Sequence, residues 1–202
     1  MAQLNPVYSM NQRLITDQSP VTNLVGSDVS LGPLRRDWIP HYQRWLNDFE
    51  LIKLVDRRFR PQSEEKITAW YERHVSGATD ALVFTIIENQ SNRPIGNIAL
   101  QDLDYRNRTA ELGIYIGDSE FRGHGFGTEA TSLLVSFAFG TLGMSNVLLR
   151  VYEYNQRAIR AYKKAGFIEI GRRRKSQFMN GQFWDTIFMD CVSPVLSVRD
   201  DA

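Results

Sequence analysis

Apolar residues follow two rhythms along this chain, and the switches between them outline its architecture. Period-2 or continuous apolar runs predict strands at Asp28 to Leu34, Ala81 to Glu88, Pro94 to Asp104, Arg108 to Ile116, Val147 to Tyr152, Phe167 to Phe178 and Gln182 to Cys191. Helical spacing predicts a helix opened by Arg36-Asp37-Trp38-Ile39-Pro40 that carries Tyr42, Trp45, Leu46 and Phe49, and another opened by Ser63-Glu64-Glu65-Lys66 that runs through His74. Two more are predicted from Thr128 to about Leu142, with Leu133, Leu134, Phe137 and Ala138 as the apolar stripe, and from Asn155 to Ala165, ended by Gly166. Asn89 to Arg93 and Asn180-Gly181 read as hairpin turns.

In the strand from 108 to 116, Ala110, Leu112, Ile114 and Ile116 face one side, which leaves Glu111, Gly113 and Tyr115 on the other. Strands interleaved with helices predict the α/β (α+β) class, a mixed sheet with helices packed on it. Residues 1–27 are polar and punctuated by Pro6, Pro20 and Gly26, so a loosely ordered tail is expected there, followed by one domain over 28–192 and a C-terminal tail over 193–202.

Composition narrows the function classes. The chain has 202 residues, 43% of them hydrophobic and 23% charged, which suits one domain with a substantial core. Twenty-four Lys and Arg against twenty-three Asp and Glu give a net charge of +1, far from the basic excess that nucleic-acid backbones demand. One cysteine, Cys191, makes no internal disulfide and points to a reducing, cytoplasmic setting. His41, His74 and His124 show no metal-ligand spacing, so no metal is expected. The first twenty residues lack a basic end followed by an apolar run, so no secretory signal is expected. Ala130 to Leu149 is uncharged for twenty residues, but Gly140 and Gly143 within it favour a helix, a turn and a buried strand over a membrane span.

Chemistry concentrates in two segments. Arg122-Gly123-His124-Gly125-Phe126-Gly127-Thr128 follows a strand and opens a helix, where glycine amides and the helix N-terminus can hold an anion, a phosphate above all. It lacks the Lys-Ser/Thr ending of a nucleoside-triphosphate loop, and its third glycine comes too early for a dinucleotide fingerprint. Taken alone it is equally a tight strand-to-helix turn. The second segment runs from Val151 to Phe167. With both in this order, the chain resembles the GNAT superfamily of acyl-CoA-dependent N-acetyltransferases: Arg122-x-x-Gly125-x-Gly127 looks like its pyrophosphate motif, and Asn155-x-x-Ala158-x-x-x-Tyr162-x-x-x-Gly166-Phe167 like the strand-helix unit that follows. The resemblance covers about Ser30 to Cys191 and is nearest the branch of ribosomal-protein N-terminal acetyltransferases and spermidine N-acetyltransferase, to which the Phe178 to Phe183 hairpin also fits.

That resemblance implies a mostly antiparallel sheet of six or seven strands, splayed where strand 108–116 parts from strand 147–152, with helices on both faces and acetyl-CoA in the splay. It implies that backbone groups of Ile114, Tyr115 and Ile116 pair with the pantetheine arm and that Arg122 and the amides of Gly123, His124, Gly125, Phe126, Gly127 and Thr128 hold the pyrophosphate, with the Asn155 side chain also on the cofactor. Tyr162 matches the family's general acid, against the alternative of a core tyrosine on an amphipathic helix. A primary amine, with a pKa near ~10, must lose a proton before it attacks a thioester, and Glu111 is the best-placed base, directly or through water, unless it only orders water or binds the ammonium.

The resemblance also places one wall of the acceptor site on Asp56-Arg57-Arg58-Phe59-Arg60, where Arg57, Arg58 and Arg60 would suit an acceptor with negative charge near its amine and would repel a polyamine, unless they only decorate a loop. Arg172-Arg173-Arg174-Lys175 is either a solvated strand or a site for the 3′-phosphate of coenzyme A or for an acidic partner. The expected activity is direct acetyl transfer in a ternary complex to a peptide N-terminus or small-molecule amine. Amino sugars and polyamines are the alternatives, a non-catalytic acyl-CoA-binding module is the reading from another class, and a homodimer stays open. Neither nucleic acid nor membrane is expected as a partner.

Overall fold

The computed structural model describes residues 19–55 and 59–194. Among the described residues eight strands form a single sheet: β1 (Leu24–Val25), β2 (Val29–Pro33), β3 (Leu82–Glu88), β4 (Pro94–Asp104), β5 (Thr109–Ile116), β6 (Asn146–Tyr152), β7 (Ile168–Met179) and β8 (Gln182–Val192). Their order is β1-β2-β3-β4-β5-β6-β8-β7, with antiparallel neighbours except the parallel pair β5–β6. The sheet therefore has eight strands where six or seven were expected, because Leu24–Val25, assigned by sequence to the tail, pair with Ser30 and Leu31 of β2. At the other end Ser193 is buried and its amide donates to Ser145 O at 2.9 Å, so the ordered chain runs past 192.

The alternation read from the sequence sorts the core into two layers. On one face, Ala110, Leu112, Ile86 and Leu31 pack with Ala130, Leu134, Val135 and Ala138 of α4 (Phe126–Gly140) and Ile159 of α5 (Gln156–Lys164). On the other, Ile87 and Leu34 pack with Tyr42 and Trp45 of α1 (Ile39–Leu46), Leu51 of α2 (Phe49–Val55) and Ile67 of α3 (Glu64–Val75). Side chains that alternate along a strand thus bury both sheet faces under helices. Ala130 to Leu149 resolves into α4, a turn and β6, and no described helix is long and apolar enough to cross a membrane.

The single helix expected from Arg36 through Phe49 is instead a 3₁₀ turn at Arg36–Trp38, then α1, then α2. The break falls at Asn47 and Asp48. Asn47 Nδ2 donates to Gln62 O at 2.9 Å and Gln62 N returns a bond to Asn47 Oδ1, also at 2.9 Å, while Asp48 Oδ1 accepts from Glu50 N. Side chains that satisfy backbone groups in this way restart a helix in a new direction. Phe49 leaves the apolar stripe as a result and is 47% exposed.

Candidate active site

The site originates in the sheet. β5 and β6 are paired only through Thr109↔Asn146, Ala110↔Val147 and Glu111↔Leu148. Beyond that point β5 continues to Ile116 along β4 and β6 to Tyr152 along β8, so the two strands part. The opening leads into a cavity of about 1120 Å³ that reaches from the start of α4 and the face of α5 through the splay to the inner side of α2 and α3.

At one end lies the glycine-rich turn. Gly123 and Gly125 both have φ +92, in the left-handed region, and a Cβ on either would meet nothing within 4 Å. This conformation points successive N–H groups to one side. Among the described residues no protein acceptor takes the amides of Gly123, His124, Gly125, Phe126 or Gly127, whereas Thr128 N and Glu129 N bond back to Gly125 O. Five consecutive free donors, three ahead of a fifteen-residue helix and two in its first turn, form a fitting cradle for a pyrophosphate. Glu129 fixes this end of α4 to the sheet by accepting from the amides of Ser27 and Asp28. The His124 ring stacks near Phe126 at 5.8 Å, and neither side chain lines the cavity.

Two residues assigned to the cofactor have part of their polar capacity already engaged. Arg122 Nε donates to Ile116 O at 2.9 Å and its Nη2 to Gly117 O at 2.6 Å, with Asp48 Oδ2 at 3.2 Å. Its own amide donates to Ser119 O. Arg122 therefore braces the end of β5 against the α1–α2 junction, and it takes the Ile116 carbonyl that the sequence assigned to pantetheine. Asn155 is the N-cap of α5, with Oδ1 accepting from Ala158 N at 3.2 Å, which leaves its Nδ2 donors for a ligand. Both residues, with Ile114, Tyr115 and Ile116, line the cavity.

Tyr162 is held by the end of α5. Phe167 N donates to Tyr162 O at 3.0 Å and Gly166 N to Lys163 O at 3.2 Å, with Gly166 at φ +94. This is the Schellman pattern, and its usual apolar contact is made by the rings of Tyr162 and Phe167, 6.1 Å apart. The hydroxyl has no hydrogen-bond partner among the described residues, and burial pushes its pKa up to about 12. Tyr162 is therefore a neutral donor at neutral pH. The Tyr115 hydroxyl, by contrast, donates to Asn97 Oδ1 at 2.7 Å on the opposite face of the sheet, and burial raises its pKa as well.

Glu111 stands at the apex of the splay, where the parallel pairing ends. Its carboxylate is 14% exposed and accepts from Arg150 Nε at 2.7 Å. Sequence reasoning missed Arg150, although it is the one charged residue in the strand Asn146-Val147-Leu148-Leu149-Arg150-Val151-Tyr152. It also missed Tyr154, whose hydroxyl donates to Lys53 O and so ties the end of β6 to α2 across the cavity mouth.

The wall towards α2 and α3 is mainly apolar, built from Leu46, Leu51, Ile52, Trp70 and Val83 among others, with His74 at its edge donating Nδ1–H to Trp70 O. Arg57 and Arg58 lie outside the described residues. Arg60 is exposed and is not in the cavity lining, because the segment from 60 to 62 is drawn to α1 by the Asn47–Gln62 bonds. Arg172 to Lys175 is exposed on the edge strand β7, also outside the lining. Strict alternation fails there, since the register shifts between Arg173 and Gln177 with Lys175 at φ +49. Arg172 pairs with Glu169 and Glu153. No group of residues suited to a metal ion occurs among the described residues.

A splayed mixed sheet with a glycine turn at its mouth, and a tyrosine and a carboxylate lining one cleft, is an arrangement that can hold a phosphate-bearing acyl carrier. The acetyltransferase (GNAT) domain model matches residues 28–168, and the chain belongs to that family. A prophage-derived uncharacterized N-acetyltransferase of Bacillus subtilis strain 168, YokL, is 31% identical over 141 residues, covering 69% of this chain and 77% of that one. A second B. subtilis protein, named as a ribosomal N-acetyltransferase, YdaF, is 33% identical over 93 residues, or 46% of this chain and 50% of its own. The solved spermidine N-acetyltransferase of Vibrio cholerae, in complex with CoA and spermine, shares the fold with a TM-score of 0.75 at 23% identity, over 83% of this chain and 96% of that one. The chain is thus an N-acetyltransferase with acetyl-CoA as co-substrate.

Proposed function

We propose that the protein acetylates the primary amine of a peptide N-terminus or of a small molecule by direct transfer in a ternary complex, in a reducing, cytoplasmic setting. The observation that carries this reading is the opening of β5 from β6 after Glu111↔Leu148, since one cavity is then lined by the phosphate-binding turn, Tyr162 and Glu111. Acetyl-CoA supplies the activated acyl carbon and the thiol leaving group. The free amides of Gly123 to Gly127 hold its pyrophosphate, and Arg157, Arg160 and Lys164, on the cavity face of α5, supply positive charge for its phosphates. The unpaired inner edge of β5 around Ile114 and Tyr115 offers N–H and C=O groups to an amide-bearing arm laid in as an extra strand.

Glu111 takes the amine proton directly or through a water, and Arg150 orients its carboxylate. Tyr162 gives its hydroxyl proton to the departing sulfur. The test is thiol release from acetyl-CoA against a panel of peptides, polyamines, aminoglycosides and amino sugars, with Glu111→Gln run in parallel. Transfer to an amine that falls by about 10²-fold or more in Glu111→Gln supports the assignment. Tight acetyl-CoA binding with no transfer to any amine would leave a non-catalytic acyl-CoA-binding module.

A further inference from the structure

Arg150 follows Leu148 and Leu149 on β6, just past the last residue paired with β5. Leu148 lies opposite Glu111, and side chains alternate along a strand, so Arg150 and Glu111 occupy the same face of the sheet on the two sides of the opening. Their 2.7 Å contact uses Nε alone. Among the described residues no other protein acceptor takes a donor of Arg150, so its Nη1 and Nη2 groups present free N–H donors from a 43% exposed side chain in the cavity wall. Glu111 is the one carboxylate among the described residues that line this cavity, and it is already paired.

We infer that Arg150 is an acceptor-specificity residue: it selects a primary amine that carries a carboxylate beside it. The amine meets Glu111 while the acceptor's carboxylate meets the open fork of the guanidinium. A fork with one arm on Glu111 and another on the acceptor fixes the distance and angle between the amine and the base, which a point charge such as lysine does less well. The same arrangement works against polyamines. An acceptor with several ammonium groups finds one carboxylate, occupied, and a guanidinium next to it. The chemistry recognised is a carboxylate close to the reacting nitrogen, and two sources carry it: an acidic first residue of a polypeptide, or a free amino acid. This inference rests on the transferase reading above, with Glu111 facing the amine.

The test compares hexapeptides that differ only in an N-terminal Asp or Asn, with free aspartate and spermidine as further acceptors, in the unmodified protein and in Arg150→Gln and Arg150→Lys. The unmodified protein is expected to prefer the aspartyl over the asparaginyl peptide by about 10- to 100-fold in kcat/KM, the range of a charge-assisted hydrogen bond, and to use spermidine poorly. In Arg150→Gln the preference is expected to collapse to within about twofold through a higher KM for the aspartyl peptide, and in Arg150→Lys to fall part of the way. The free aspartate arm separates the sources: use comparable to the peptide assigns the amino acid, and use far below it assigns the polypeptide.

Equal use of the two peptides by the unmodified protein overturns the inference, as does more efficient use of spermidine. An Arg150→Gln variant that loses kcat equally on both peptides overturns it too, because that pattern marks a residue that only positions Glu111. No transfer to any amine by the unmodified protein would instead defeat the underlying transferase reading.

Discussion

Tyr162→Phe is the sharpest single perturbation of this site, because the side chain's structural and chemical contributions separate cleanly. The ring stays packed 6.1 Å from Phe167, and the cap of α5 uses the Tyr162 carbonyl, which the substitution keeps. The hydroxyl has no partner among the described residues, so its removal orphans no group, and thermal stability should change by less than about 0.5 kcal/mol. The chemical cost is larger. A tyrosine pushed up to about 12 that protonates a thiolate of pKa ~8.5 works against about 3.5 pH units, or roughly 5 kcal/mol. That gap narrows at the moment of transfer, since the same burial that raises the tyrosine also raises a thiol formed beside it. A donor at this position then contributes the usual 10²- to 10⁴-fold, equal to about 3 to 5.5 kcal/mol of barrier. The assay is kcat from thiol release at saturating acceptor, beside the Kd of acetyl-CoA by calorimetry and a melting curve. The expected pattern is kcat down by at least about 10²-fold with Kd and melting temperature near those of the parent. A kcat within threefold of the parent would refute the reasoning and return Tyr162 to packing.

Three further outcomes follow from the same geometry. Gly127→Val should abolish measurable acetyl-CoA binding in a folded protein, because a Cβ there meets only Ile116 Cγ1 at 3.7 Å while the added methyls crowd the phosphate-binding turn; Gly125→Val would add backbone strain at φ +92 and is the less clean variant. Arg122→Gln should lower the melting temperature by roughly 5 to 10 °C through loss of the brace on Ile116 O, Gly117 O and Asp48, and an unchanged melting curve with a tenfold weaker Kd would place the guanidinium on the pyrophosphate instead. Stability should fall between about pH 10 and pH 12 in thermal melts. Burial raises Tyr162 and Tyr154 to about 12, so the unfolded chain loses these protons first and the stability they contribute is lost as pH climbs from ~10 through 12; Tyr162→Phe should soften that decline.

What could be read from the sequence was what local physics decides. Asn180 and Gly181 adopt φ +52 and +81, the primed turn that an Asn-Gly pair between apolar runs specifies. The two faces of β5 and the cap at Gly166 are equally local. Features set by distant partners did not show. The break at Asn47 depends on Gln62, and β1 depends on pairing with β2 and on Glu129 more than a hundred residues away, which holds the turn between them. At the site, the glycine-rich turn is one continuous segment, so its left-handed glycines and the helix that follows could be read locally. Arg150 could not, because its relation to Glu111 exists only once two strands separated by α4 are laid side by side.

That juxtaposition also explains how the sheet can open without coming apart. Each strand at the splay keeps a complete partner on its outer side, β5 through Gly96↔Ile116 and β6 through Tyr152↔Thr186, so the divergence exposes inner edges only. Unpaired strand edges are costly when buried and invite pairing. Here they line a cavity, where water or an extended arm can satisfy them. The opening is pinned at both ends by arginine: Arg150 clasps Glu111 where the strands begin to part, and Arg122 takes the carbonyls of Ile116 and Gly117 where β5 ends. Between these two braces the inner edge of β5 has no strand partner among the described residues and is open to what enters the cleft. In the proposed function, the residues that hold the sheet open are thus also the ones that set where a cofactor arm lies and where an acceptor amine approaches.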